Sequence, residues 1–177
     1  MNPLHRRTVL KQGHITYVNH NEATQQATFK VKAPLATYLD TTPSALVIAA
    51  PQLVEPLEVY VPYWRNTSGF KQDTQACTSM YTATASAAVK TYYLLLSEGG
   101  ATESQARLTL PQGLYMTWQW QGGLDDYANL YNTKAGSANI WESQYCMGIL
   151  NEFLEKLFPK TWPKYTQVSS RLLEITP

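Results

Sequence analysis

Apolar and polar positions change their period near residue 72 of the chain. From 27 to 35 they alternate, with Phe29, Val31 and Ala33 on one side and Lys30 and Lys32 on the other. A period of two predicts a half-buried strand, and Pro34 marks an edge position or the strand's end. Residues 45–50 (ALVIAA) and 57–62 (LEVYVP) predict two more short strands, set apart by Pro51 and Pro56. Beyond residue 72 the spacing becomes three and four. Tyr81, Ala85, Ala88, Tyr92 and Leu95 predict a helix over 74–97, stopped by Gly99 and Gly100. Thr102 and Gln105 fit a capping box opening a short helix that ends before Pro111. Leu124, Tyr127, Leu130 and Tyr131 share one face of a helix over 124–134. The strongest helical pattern covers 137–158 and ends at Phe158-Pro159; from 160 the chain reads as an irregular tail. Strands followed by helices imply an α+β fold, with helices packed on one side of a small antiparallel or mixed sheet. With no linker and no internal repeat, residues 1–177 read as a single domain.

Composition narrows the class. Hydrophobic residues are 44% of the 177 and charged residues 15%, which excludes a disordered chain. A formal net charge of +1 gives no long-range attraction to nucleic acid or an anionic membrane. The 12 Tyr and 5 Trp suit half-buried positions at interfaces and ring-stacking pockets. Cys77 and Cys146 stand outside any CxxC or Cys/His cluster, so no zinc site is signalled, and both read as small apolar fillers. No apolar run reaches membrane-span length and none follows the basic start, so the expected location is the cytoplasm.

Three segments carry a resemblance. The first is residues 13–35, where Gly13, His14, Thr16, His20, Phe29, Val31, Ala33 and Pro34 occur in order. The second is LEVYVP, residues 57–62. The third, residues 91–145, runs from a Tyr-Leu helix through Ala106-Arg107, Leu110-Pro111 and Leu114-Tyr115 to Trp120, Asn129 and the Trp141-Glu142 pair. Taken together, over about residues 10–160, these resemble the flavin-dependent thymidylate synthases. The resemblance implies an α+β homotetramer whose active sites form where subunits meet. It implies FAD, NADPH and methylene-tetrahydrofolate as cofactors, and dUMP as the pyrimidine nucleotide that is methylated. No protein cysteine attacks the ring in that chemistry.

The matching residues take roles from the same resemblance. Arg107 and Lys134 are the expected nucleotide-binding residues; His14, Thr16 and Asn129 are the expected cofactor-binding residues. A guanidinium at 107 binds phosphate or a pyrimidine carbonyl bidentately, and the carboxamide of Asn129 both gives and accepts hydrogen bonds at a flavin edge. Lys134 stands where the family has an arginine, so the charge is kept and the planar fork lost. Each has a structural alternative: Arg107 paired with Glu103, Asn129 facing solvent, Lys134 complementing a helix C-terminus, and the histidines holding structure.

The chain also departs from the family. The motif RHRxxSxNExSxRY, whose arginines and serine bind FAD and the dUMP phosphate, should fall within residues 35–58. That stretch contains no Arg, Lys or His. An apolar strand bearing Asp40, Glu55 and Glu58 does not offset the desolvation of a dianionic phosphate. Three functions follow as expectations. One is an enzyme acting on dUMP or a related pyrimidine nucleotide. Another is a non-catalytic subunit, homo-oligomeric or paired with an intact homologue. The third is a nucleotide enzyme working without flavin.

Overall fold

A computed structural model describes residues 14–41, 46, 49–62, 64, 74–136 and 141–166. They divide into two compact units: those within Leu10–Leu53 and Met116–Pro177, and those within Val54–Tyr115.

The first unit is built on a four-stranded sheet in the order β1-β2-β4-β3, with β1 Ile15–Asn21, β2 Gln26–Pro34, β3 Gln52–Leu53 and β4 Tyr115–Gly123. β1 and β2 pair antiparallel from Ile15 opposite Val31 to Asn21 opposite Gln26, with an irregularity between Tyr17 and Asn19. β3 pairs antiparallel with β4 through Gln52–Thr117 and Leu53–Met116. The period-two reading of β2 is borne out: Phe29, Val31 and Ala33 are buried, Lys30 is exposed and Lys32 half-buried.

Three helices of this unit are α1 Leu35–Thr41, α4 Leu124–Lys134 and α5 Trp141–Leu157. α4 spans the expected residues, and its predicted face of Leu124, Tyr127, Leu130 and Tyr131 is buried. The Tyr127 hydroxyl donates to the carbonyl of Ala27 at 2.9 Å, and its ring meets Phe29 edge-on. Burial pushes this phenol's pKa well up, and Asp126 adds to the shift. α5 packs against β1, α1 and α4. Its buried face carries Cys146, Met147, Leu150 and Leu154; residues 137–140 of the expected helix lie outside the described residues.

The second unit holds α2 Thr74–Ser97 and the short α3 Glu103–Ala106, which runs into a 3₁₀ turn, Arg107–Thr109. The sequence placed both helices correctly. Ala85 and Tyr92 are buried on the predicted face of α2, and the Thr102–Gln105 capping box is present. A Cβ at Gly113 would overlap the Tyr81 hydroxyl, so a side chain there requires the Tyr81 ring to move.

The α+β class stands, with five differences in detail. Leu46, Ala49 and Ala50 are not in a strand; the strand is β3, just after Pro51. Residues 57–62 make one isolated antiparallel bridge, Val59 with Leu114, because Pro56 and Pro62 remove ladder donors on either side. Residues 35–41 are helix rather than apolar strand, with Thr37 and Thr41 turned inward at helical spacing. The chain after 160 is anchored, at least to residue 166. Trp162 sits fully buried in a 3₁₀ turn, and its indole N–H donates to Asn151 Oδ1 at 2.8 Å. Residues 42–45, 47–48 and 167–177 lie outside the description. β1 and β4 were not anticipated, although Met116, Trp118 and Trp120 alternate with Thr117, Gln119 and Gln121 in the pattern of a half-buried strand.

Candidate functional site

α1 begins directly after Pro34 closes β2. Its spacing of three and four puts Thr37, Asp40 and Thr41 on one face. The Thr41 hydroxyl donates back to the Thr37 carbonyl at 2.9 Å. Asp40 reaches α4, where its Oδ1 accepts from Lys134 Nζ at 2.9 Å. Their side chains are 24% and 18% exposed, so the pair is shielded from bulk water on most sides. Lys134 ends α4, where a cation also complements the helix dipole.

Aromatic rings cover the other flank of α1. Tyr38 meets Trp118 of β4 edge-on at 5.3 Å, and Trp118 meets Trp120 at 6.0 Å. Around these elements several buried polar atoms have no partner among the described residues: Thr37 Oγ1, Asp40 Oδ2, the indole nitrogens of Trp118 and Trp120, and Ser143 Oγ of α5. A buried group left unpaired costs about 1–3 kcal/mol, so this end of the unit holds unusual polar demand. The two indoles donate and the carboxylate accepts, while the only cation in the cluster, Lys134, is already bonded to Asp40.

The remaining expected site residues lie as follows. His14 is half-buried just before β1, and Thr16 is exposed on β1 opposite Lys30. Asn129 is exposed on α4, and its carbonyl accepts from the Thr133 hydroxyl at 2.7 Å. These three share the first unit with Lys134. Arg107 belongs to the second unit. It is exposed and bonds Glu103 four residues earlier through Nε at 3.1 Å and through Nη2. Both cations expected to bind nucleotide are thus paired with carboxylates. Asp40 was read in the sequence only as an unwanted negative charge; its pairing with a residue 94 positions away carries no local signal.

Burial pushes Cys146 up to about 12, with Glu142 adding to the effect, so it stays a neutral thiol. Among the described residues no group of three His, Cys, Asp or Glu is placed to hold a metal ion, and no helix is long and apolar enough to cross a membrane.

The family model for thymidylate synthase complementing protein matches residues 4–160. The chain belongs to this family. The resemblance read in the three sequence segments is therefore upheld over most of the chain's length. No curated protein matches the chain. In this chain Lys134 and Arg107 are each paired with a carboxylate.

Proposed function

We propose that this chain is a non-catalytic member of the family, a binding or structural subunit that does not methylate dUMP. The observation that carries the reading is the commitment of its cations. Residues 35–58 contain no Arg, Lys or His, while Lys134 is bonded to Asp40 and Arg107 to Glu103. A phosphate dianion brought out of water needs cations or clustered N–H donors, and each pair would have to break to supply one.

The stretch where the motif should fall supports the same reading. Residues 35–58 carry Asp40, Glu55 and Glu58 and no cation, so they offer a phosphate dianion no charge to offset its desolvation. The residues present therefore do not fit FAD or dUMP held by that motif, and no step through FAD, NADPH or methylene-tetrahydrofolate is derived for this chain.

Assembly belongs to the same proposal. Met80 and Leu96 of α2 are exposed at 71% and 36%, and Leu108 at 86%. Large apolar side chains in water favour a partner surface, either copies of this chain, as in a homotetramer, or an intact homologue whose arginines complete a shared site.

The test is a titration of the purified chain with FAD and with dUMP, followed by absorbance and calorimetry. The non-catalytic reading expects a colourless protein with no saturable binding of either. A yellow protein whose flavin spectrum shifts on adding dUMP would establish the enzyme instead. A colourless protein that binds dUMP, and loses it on Arg107→Ala, would point to pyrimidine chemistry without flavin.

A further inference from the structure

The second unit contains an open groove of about 420 Å³ along α2. Ser86, Val89, Lys90, Tyr93, Leu94 and Ser97 form one wall at helical spacing, and Leu57 and Val59 form the other. The eleven steps of helix from Ser86 to Ser97, at about 1.5 Å each, make it about 16 Å long. Its lining is half aliphatic (Leu57, Val59, Val89 and Leu94) and half polar (Ser86, Lys90, Tyr93 and Ser97), and its volume lies in the range of small-molecule sites.

Among the polar lining residues a single side chain carries charge. Lys90 is the only charged residue of α2, and it shares the groove's first half with the Ser86 hydroxyl. Lys90 is exposed and has no ion pair or hydrogen bond among the described residues. Towards the other end, the Tyr93 hydroxyl donates to Glu55 Oε2 at 3.3 Å. Loss of hydration and the Glu55 charge both raise the Tyr93 pKa, so the phenol stays a neutral donor directed at that carboxylate. Lys90 therefore attracts an anion, the aliphatic side chains repel water, and the carboxylate bonded to Tyr93 carries a negative charge one turn further along α2.

We propose that this groove binds an amphiphilic carboxylate of medium chain length, with its head on Lys90 and Ser86 and its alkyl chain along Leu94, Leu57 and Val59. The charge of Lys90 selects the head, the aliphatic residues select the chain, and the Glu55 carboxylate on Tyr93 repels a second anion.

The experiment titrates decanoate, below its micelle concentration, into the full chain by calorimetry, with decan-1-ol as the headless control. Saturable binding of one decanoate per chain is expected. Lys90→Gln should weaken decanoate about fivefold, the size of one exposed ion pair, and leave decanol unchanged. Val59→Ser should weaken both ligands, and Lys160→Gln, an exposed lysine outside the groove, neither. Far-UV circular dichroism confirms that each variant is folded; Lys90→Gln, at an exposed position, keeps the test decisive if Val59→Ser unfolds. No saturable binding, or equal binding by wild type and Lys90→Gln, would overturn the proposal. So would groove substitutions that change only the oligomeric state, which would assign the surface to a second copy. Flavin or dUMP binding would defeat the non-catalytic reading and leave this one standing; absence of decanoate binding would do the reverse.

Discussion

Lys134 offers the sharpest check on the reasoning, because a ligand-binding cation and a structural one respond oppositely to removal. Its ammonium lies 2.9 Å from Asp40 Oδ1, with side chains 18% and 24% exposed. That places the pair between exposed ion pairs, worth about 0.2–1 kcal/mol, and fully buried ones, whose breaking costs about 3–5 kcal/mol. Asp40→Ala should therefore destabilise the chain by about 2 kcal/mol. It leaves the ammonium half-shielded and unpaired, although it also removes the unpartnered Oδ2. Lys134→Met, which keeps the apolar stem, should cost a similar amount by stranding the carboxylate. The double variant should recover part of the loss, giving a coupling of about 1–2 kcal/mol. Urea unfolding followed by circular dichroism measures all four proteins, with unchanged slopes required for the comparison. A nucleotide-site lysine held without an internal partner would behave differently, since removing a functional charge is often neutral or stabilising. A neutral or stabilising Lys134→Met, with coupling below about 0.3 kcal/mol, would refute the structural reading and return Lys134 to the ligand.

Other consequences follow from single features. Trp162→Ala removes a fully buried ring and the donor to Asn151, and should cost about 3–5 kcal/mol in the same unfolding assay; a loss below about 1 kcal/mol would mean the turn after 160 is not anchored. Gly113→Ala should lower the melting temperature markedly and be relieved by Tyr81→Phe, because the new methyl overlaps the Tyr81 hydroxyl; an unrelieved loss would place the strain elsewhere. Cys146 should resist a thiol reagent at pH 8 until urea unfolds the chain, and rapid native labelling would contradict its burial. Its pKa rises from 9.0 in the unfolded chain to about 12 when folded, so the native state keeps a proton that the unfolded state releases between those values. Stability should therefore be unaffected by this thiol below pH 9 and fall as pH climbs towards 12, with Cys146→Ala flattening the decline.

Much of the local structure was legible because its causes are local. A period of two over 27–35 and periods of three and four over 74–97 and 124–134 state which side of each element meets the core, and the elements formed there. The Thr102–Gln105 cap is equally local, needing only residues three apart. The family could be read because its matching residues keep their order over most of the chain. Where prolines interrupt the pattern, at 51, 56 and 62, the alternation overstated the strands, since alternation says nothing about whether the ladder's donors exist. The alternation in β4 was present and passed over, whereas β1, exposed at nearly every position, has no burial pattern to read and is held through its main-chain pairing with β2.

The state of the expected site was decided only in three dimensions. Types and order told which residues resemble nucleotide- and cofactor-binding groups; they could not say what each side chain touches. Asp40 and Lys134 meet because α1 and α4 are brought together by the sheet and α5, and nothing within a few residues of either forecasts the bond. Arg107 found Glu103 one helical turn away, a pairing the sequence did allow for. Hydrophobic period is a property of neighbours along the chain, while the charge available to a ligand depends on neighbours in space, and only folding assigns those.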